Sequence, residues 1–363
     1  MSKLLYAPYR LGSLSLSNRI VMAPMTRSRA TADHLPTPLM ATYYRQRATA
    51  GLIITEGTSP SPNGLGYARI PGLFSPEQVQ AWLPVTQPVH EAGGRIIVQL
   101  MHTGRASHPL NLPAHGRVLA PSAIGLSGTI WTDQQGLQPY PVPTAMTEAD
   151  IQQAITEYVD AATNAILAGF DGIELHAANG YLMDQFLNTA SNQRTDRWGG
   201  SVADRIRFVV EVARAAAARI GGPRVGLRVS PYGVFNDMKP DGQMDELYAA
   251  LAAELSALGL AYIHVVDHSA MGAPAVSPAV KQKIRAAFKG AYILSGGYDA
   301  ARAEADLAAG LGELVAFGRP FISNPDLAHR LEKGHPLAQP DPATFYTPGE
   351  KGYTDYPVFL PNP

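Results

Sequence analysis

The chain has 363 residues, 46% hydrophobic and 16% charged, with a formal net charge of −1 and no cysteine. That balance suits a compact enzyme and leaves no basic footprint for nucleic acid or a membrane surface, so small molecules are the expected partners. Without cysteine, disulfides, thiolate metal sites, iron–sulfur clusters and cysteine nucleophiles are excluded together.

From Met1 to Arg10 there is neither the basic start nor the apolar core of an export signal. No later stretch approaches the roughly 20 apolar residues of a spanning helix, so the expected location is cytoplasmic. Short apolar runs then alternate with longer amphipathic or alanine-rich segments, the pattern of strand–helix units around a parallel sheet. Strand Arg19–Ala23 is followed by helix Thr37–Ala50, and Gly51–Thr55 by Pro76–Glu91. After Gly94–Leu100 the rhythm breaks at residues 102–146, rich in Pro, Gly and Ser, and resumes with helix Glu148–Ala168. Gly169–Leu175, Arg224–Val229, Ala261–Val266, Ala291–Leu294 and Glu313–Phe317 complete the strands. Their helices are Val202–Ile220, Met244–Leu258, Ser277–Phe288, Ala300–Ala309 and Pro325–Glu332. Thr147 and Asp299 stand as N-caps, and Gly169, Gly259 and Gly310 as left-handed C-caps. Eight such units predict a single α/β domain over residues 1–363, a closed (β/α)₈ TIM barrel. Residues 102–146 form a capping excursion after the third strand, and the aromatic-bearing tail, 334–363, packs back on the barrel.

Barrels of this type carry their chemistry at the carboxyl ends of the strands. Those ends hold Pro24-Met25-Thr26, Glu56-Gly57-Thr58, Gln99 and His102, His176 with Asn179 and Tyr181, Arg228, Asp267-His268, Ser295-Gly296-Gly297 and Gly318-Arg319. The glycines after strands seven and eight, with Arg319, predict a phosphate grip. A lyase or isomerase of phosphorylated sugars would share that grip. Other barrel chemistries fit less well. No lysine stands at a strand end for a Schiff base, and a glycosidase pair would have only Glu56, Asp267 and Glu174 to draw on, with no carboxylate at the seventh strand end. His264 and His268 share no helix face, so no metal is expected. No G-x-G-x-x-G follows a strand, which leaves a mononucleotide, and flavin mononucleotide has the shape to lie across the barrel mouth.

The run His176-Ala177-Ala178-Asn179-Gly180-Tyr181, with Gly172-Ile173-Glu174-Leu175 before and Asp184-Gln185-Phe186-Leu187 after, resembles the signature of the Old Yellow Enzyme family of FMN-dependent ene-reductases. The resemblance spans the chain. It includes Asn18 to Thr26, Val98-Gln99-Leu100, His102-Thr103-Gly104-Arg105, Asn192 to Arg197 before Gly199-Gly200-Ser201, Phe317-Gly318-Arg319-Pro320, and Gly352 to Pro357.

The resemblance implies that NADPH or NADH reduces FMN, which then passes hydride to an activated alkene in ping-pong order. His176 and Asn179 would donate to the substrate oxygen, and Tyr181 would protonate Cα. Cofactor contacts fall to Pro24, Met25, Thr26, Gly57, Gln99, Arg228, Ser295, Gly296, Gly297, Gly318 and Arg319, with Thr26 at flavin O4, Gln99 at the pyrimidine and Arg228 near N1 and O2. Tyr67, Met101 and Tyr353 would surround the substrate. Glu174 is expected to pair with Arg228 on the neighbouring strand. Met101 stands where many members have tryptophan, and Trp198 where they have tyrosine, which predicts a wider pocket beside Met101. A non-catalytic flavin-binding protein fits the same residues, and a monomer or homodimer is expected.

Overall fold

Runs that are apolar at nearly every position, unlike the alternating strands of a half-wet sheet, bury both faces and need helices outside and side chains inside. In the computed structural model, which describes residues 3–359, eight such runs close into a parallel barrel in chain order. They are β1 (Ile20–Met22), β2 (Leu52–Thr58), β3 (Ile96–Leu100), β4 (Ile173–Ala177), β5 (Val225–Val229), β6 (Tyr262–Val266), β7 (Ala291–Ser295) and β8 (Leu314–Phe317). Strand β8 pairs with β1, so no edge is left open. Residues 1–2 and 360–363, the latter part of the predicted tail, lie outside the described residues.

The surrounding helices are α1 (Pro38–Gln46), α2 (Pro76–Glu91), α3 (Glu148–Leu167), α4 (Leu182–Leu187), α5 (Val202–Ile220), α6 (Met244–Ala257), α7 (Pro278–Ala287), α8 (Ala300–Ala308), α9 (Arg319–Ser323) and α10 (Leu327–Lys333). The expected caps form: Thr147 accepts from the Asp150 N–H at 3.2 Å and Asp299 from that of Arg302 at 2.8 Å. Gly169, Gly259 and Gly310 all have positive φ. Several expected elements, among them strands β1, β2, β3, β5, β6 and β8, begin a residue or two too early, and two cases show why. Helix α1 starts at Pro38 because Thr37 is extended, and β4 starts at Ile173 because Gly169 is still turning out of α3 and Asp171 accepts the Ile96 N–H at 2.8 Å.

Tyr9–Leu11 and Leu14–Leu16 form a hairpin that the sequence reading did not contain. Its Leu11 and Leu16 pack with Val21, Leu52, Ile54, Ile293 and Leu314, so this end of the barrel is plugged by apolar side chains. The excursion contributes the hairpin Thr129–Thr132 with Gly136–Pro139, tied back through an Arg69–Asp133 ion pair and Asn111, which donates to Gly66 O at 2.9 Å. Arg27 and Arg29 hold the tail by its backbone: Arg27 donates to Phe345 O and Gly352 O, and Arg29 to Thr344 O, Phe345 O and Lys351 O. Among the described residues no helix is long and apolar enough to cross a membrane.

Candidate active site

The carboxyl ends of the strands enclose a cavity of about 630 Å³. Pro24, Met25 and Thr26 line it from β1, Gly57 from β2, Gln99 and Met101 from β3, His176, Asn179 and Tyr181 from β4, and Arg228 from β5. Ser295, Gly296, Gly297, Gly318 and Arg319 complete it from β7 and β8. Every residue expected to hold the cofactor is therefore in one place. The cavity also takes in side chains that the sequence reading had not assigned, chiefly Arg27, Phe235, His268 and Met271, and from the tail Phe345 and Tyr346.

Parallel pairing sets the floor of this cavity in layers. Glu174 of β4 lies opposite Gln99 of β3, and one step of two further on His176 lies opposite Arg228 of β5. Glu174 does not bond Arg228. Its carboxylate accepts from Gln99 Nε2 at 2.7 Å, Tyr262 OH at 3.1 Å and His264 Nδ1 at 2.9 Å. The expected pair fails because Arg228 stands one layer higher, opposite His176, while Gly226 is the residue level with Glu174. Burial alone would raise the Glu174 carboxyl, but His264, then Arg228 and Gln99, outweigh it and hold it below the usual carboxylate value. Because an ionised carboxylate only accepts, Gln99 must point its NH₂ downward, which frees its Oε1 for the cavity.

Arg228 is buried, and no protein hydrogen bond to its guanidinium forms among the described residues; Nε in particular is buried without a partner. A buried cation left this way is costly, so the cavity is built to receive an electron-rich partner beside it. At the far end, Gly296 (φ +127) and Gly297 (φ +63) bring the backbone close to the loop after β6. A Cβ on Gly296 would lie 2.2 Å from Asp267 O. With Arg319 lining the same cavity from the start of α9, just after β8, these turns suit a phosphate. A flat polar ring near Gln99 and Arg228 with a phosphate at Gly296 and Arg319 matches FMN, and the residues present fit that group.

Above the floor, the turn after β4 positions three groups. Asn179 (φ +60) and Gly180 (φ +72) are both left-handed, conformations that Asn and Gly tolerate best. The turn is pinned by Asn179 N–H to Ser230 Oγ at 2.8 Å and Asn236 Nδ2 to Asn179 O at 2.8 Å. Gln185 Nε2 also reaches Gly180 O at 2.7 Å. His176 Nδ1 accepts from the Ala178 N–H at 3.3 Å, and burial, then Arg228, hold the imidazole well below its ordinary pKa. The ring is thus neutral with its proton on Nε2, a donor. Tyr181, 8% exposed, meets the His176 ring edge-on at 4.9 Å, and burial pushes its phenol up to about 12, so it too stays protonated.

Two residues expected at the substrate are elsewhere. Tyr67 does not line the cavity but bonds the Tyr181 hydroxyl at 3.1 Å from behind. Tyr353 is fully buried, stacked on Tyr43 at 4.1 Å beneath Arg27 and Arg29; the two arginines fix the tail so that Phe345 and Tyr346 reach the cavity instead. Met101 is where it was expected, and fills the space that Gly57 leaves: a Cβ there would lie 2.5 Å from its Sδ.

A family model for the NADH:flavin oxidoreductase / NADH oxidase family matches residues 4–338. A probable flavin mononucleotide-dependent alkene reductase from Leishmania infantum is 42% identical, with 96% of this chain and 96% of the relative covered. An Old Yellow Enzyme homologue from Zymomonas mobilis superposes with a TM-score of 0.94 at 41% identity, over 98% of this chain and 99% of that one. Morphinone reductase in complex with tetrahydroNAD gives 0.93 at 43% identity, over 98% of both chains. The chain belongs to the NADH:flavin oxidoreductase / NADH oxidase family, as an FMN-dependent oxidoreductase of the Old Yellow Enzyme type that draws electrons from a nicotinamide.

Proposed function

We propose that the protein is an ene-reductase that saturates alkenes activated by a carbonyl or nitro group, such as enones, enals, maleimides and nitroalkenes. The observation that supports this reading is that His176, Asn179 and Tyr181 line one cavity together with the buried Arg228, with the His176 imidazole neutral and the Tyr181 phenol protonated. FMN held by Thr26, Gln99, Arg228 and the glycines after β7 and β8 would supply the hydride for Cβ, with its electrons drawn from NADPH or NADH in a separate, ping-pong half-reaction.

The chain's own residues supply the rest. His176 Nε2–H and the Asn179 amide donate to the carbonyl or nitro oxygen, draw electrons from the double bond and stabilise the charge that builds on that oxygen. Tyr181 keeps its proton at neutral pH and delivers it to Cα, a carbanion far more basic than a phenolate. Arg228 keeps a fixed positive charge under the flavin site, where it favours an anionic reduced cofactor. Gly296, Gly297, Gly318 and Arg319 grip the phosphate, and Met101, Phe235 and Tyr346 shape the wall that a substrate meets.

The test is a panel of enones, maleimides and nitroalkenes run with both nicotinamides on purified protein, with the saturated products identified. Nicotinamide oxidation that consumes oxygen but leaves every alkene intact would overturn the reading.

A further inference from the structure

A carboxamide carries a donor and an acceptor of nearly the same shape, so Asn179 serves a developing oxyanion only if something decides which end faces the cavity. The bonds that pin the turn involve its backbone and leave the side-chain amide free to turn over. Among the described residues, one side chain reaches that amide. His268, from the loop after β6, places Nε2 2.6 Å from Asn179 Oδ1, across 89 residues of sequence.

We infer that His268 is a positioning residue for Asn179: with its proton on Nε2 it donates to Oδ1 and turns the Nδ2 hydrogens toward the substrate oxygen. This rests on the reading above that Asn179 donates to that oxygen. The loop holds His268 firmly enough for the task. Its carbonyl accepts from the Met271 N–H at 2.8 Å, and the neighbouring Asp267 bonds the Ser269 N–H at 3.0 Å and Lys281 Nζ at 2.7 Å. Burial, then Arg228, lowers the imidazole to about 4, so at neutral pH it carries one ring proton, and that proton's place sets the orientation of the amide. The opposite tautomer would take a hydrogen from Nδ2 and turn Oδ1 into the cavity beside His176. An acceptor there would repel the very oxygen that His176 attracts.

The test uses the FMN-loaded protein and a phenol, whose phenolate oxygen probes the donors and whose stacking on the flavin gives a long-wavelength band. Titration with 4-hydroxybenzaldehyde is carried out on the parent, His268→Leu and His268→Gln, each with Asn179 intact and with Asn179→Ala. His268→Leu should weaken binding roughly tenfold, the worth of one hydrogen bond to a charged oxygen. His268→Gln, which still offers an N–H, should recover most of that loss. In the Asn179→Ala background, His268→Leu should cost nothing further. Equal losses in both backgrounds, or a glutamine no better than leucine, would overturn the inference. So would full affinity in His268→Leu alongside a loss in Asn179→Ala. If Asn179→Ala itself binds the phenol as tightly as the parent, the donor role of Asn179 fails first and the role of His268 falls with it.

Discussion

Tyr181→Phe removes one oxygen and leaves the ring against His176. The hydroxyl's protein partner is Tyr67, so the fold loses one hydrogen bond worth about 1 kcal/mol net, and the cavity should survive. The chemical loss is far larger. A phenol held near 12 is ionised in about one molecule in 10⁵ at pH 7, so the parent's donor is loaded in effectively every turnover. In the variant the next hydroxyl is that of Tyr67, which stood 3.1 Å from the lost one and does not line the cavity. General acid catalysis contributes roughly 10²–10⁴-fold, about 3–5 kcal/mol of barrier, and reduction of 2-cyclohexenone should slow by that much. Reduction of the flavin by NADPH involves no such proton and should hold its parent rate. Nitroalkenes should suffer less, because the nitronate left after hydride transfer is stable enough to depart and be protonated in water. In the parent, with the phenol raised to about 12, alkene reduction should be insensitive to Tyr181 ionisation through neutral pH and decline only as the pH rises toward that value. Stopped-flow spectroscopy at the flavin band follows the two half-reactions separately. Equal slowing of both, or normal turnover of cyclohexenone, would refute the role and assign the proton to water.

Gly296→Ala should weaken FMN binding at least about tenfold, since the added carbon lands 2.2 Å from Asp267 O at a φ of +127 that L side chains avoid. Fluorescence of released flavin measures it, and an unchanged affinity would put the phosphate elsewhere. Arg228→Leu should change the apoprotein's melting temperature little, because removing a buried charge without a protein hydrogen bond offsets the lost attraction to Glu174, yet shrink the rise on adding FMN. A large fall in the apoprotein would show that Arg228 is structural. Glu56 is fully buried and its carboxyl is raised to about 7 by burial, so the folded state holds a proton that the unfolded chain releases near pH 4.5. Stability from this group is therefore lost as pH rises between those values. Glu56→Gln should be the more stable protein at pH 8, by at most about 3 kcal/mol, and should match the parent at pH 4.5. A urea midpoint difference that is the same at both pH values would contradict this.

The barrel was legible because its strands are short apolar runs, seven of them with a glycine close by and the first closed by Pro24, signals that local sequence carries in full. The cavity floor was legible for a related reason: a parallel barrel sends every strand's carboxyl end to one rim, so Thr26, Gln99, Arg228 and Gly297 had to meet once the strands were placed. What sequence could not show depends on distance. The plug hairpin has strands of three residues, too short for a periodic signal, and α4 is a turn and a half inside a motif. Tyr353 was misplaced because its position is decided by Arg27, Arg29 and Tyr43 some three hundred residues away. His268 stood among the polar strand ends and was weighed as a metal ligand beside His264, but it carried no role. Its actual neighbour, Asn179, belongs to a strand two places round the barrel.

The two arginines grip the tail mainly through main-chain oxygens, with Thr347 Oγ1 and the rings of Phe345 and Tyr353 as their side-chain contacts, so the side chain of Tyr346 takes no part in the grip. Attachment is thereby decoupled from identity: Tyr346, exposed at the rim, can be exchanged for almost any side chain without loosening the segment that presents it. Position 346 is thus a replaceable panel on a fixed frame. Selection, natural or in the laboratory, can reshape the entrance there while the catalytic turn after β4 stays as it is.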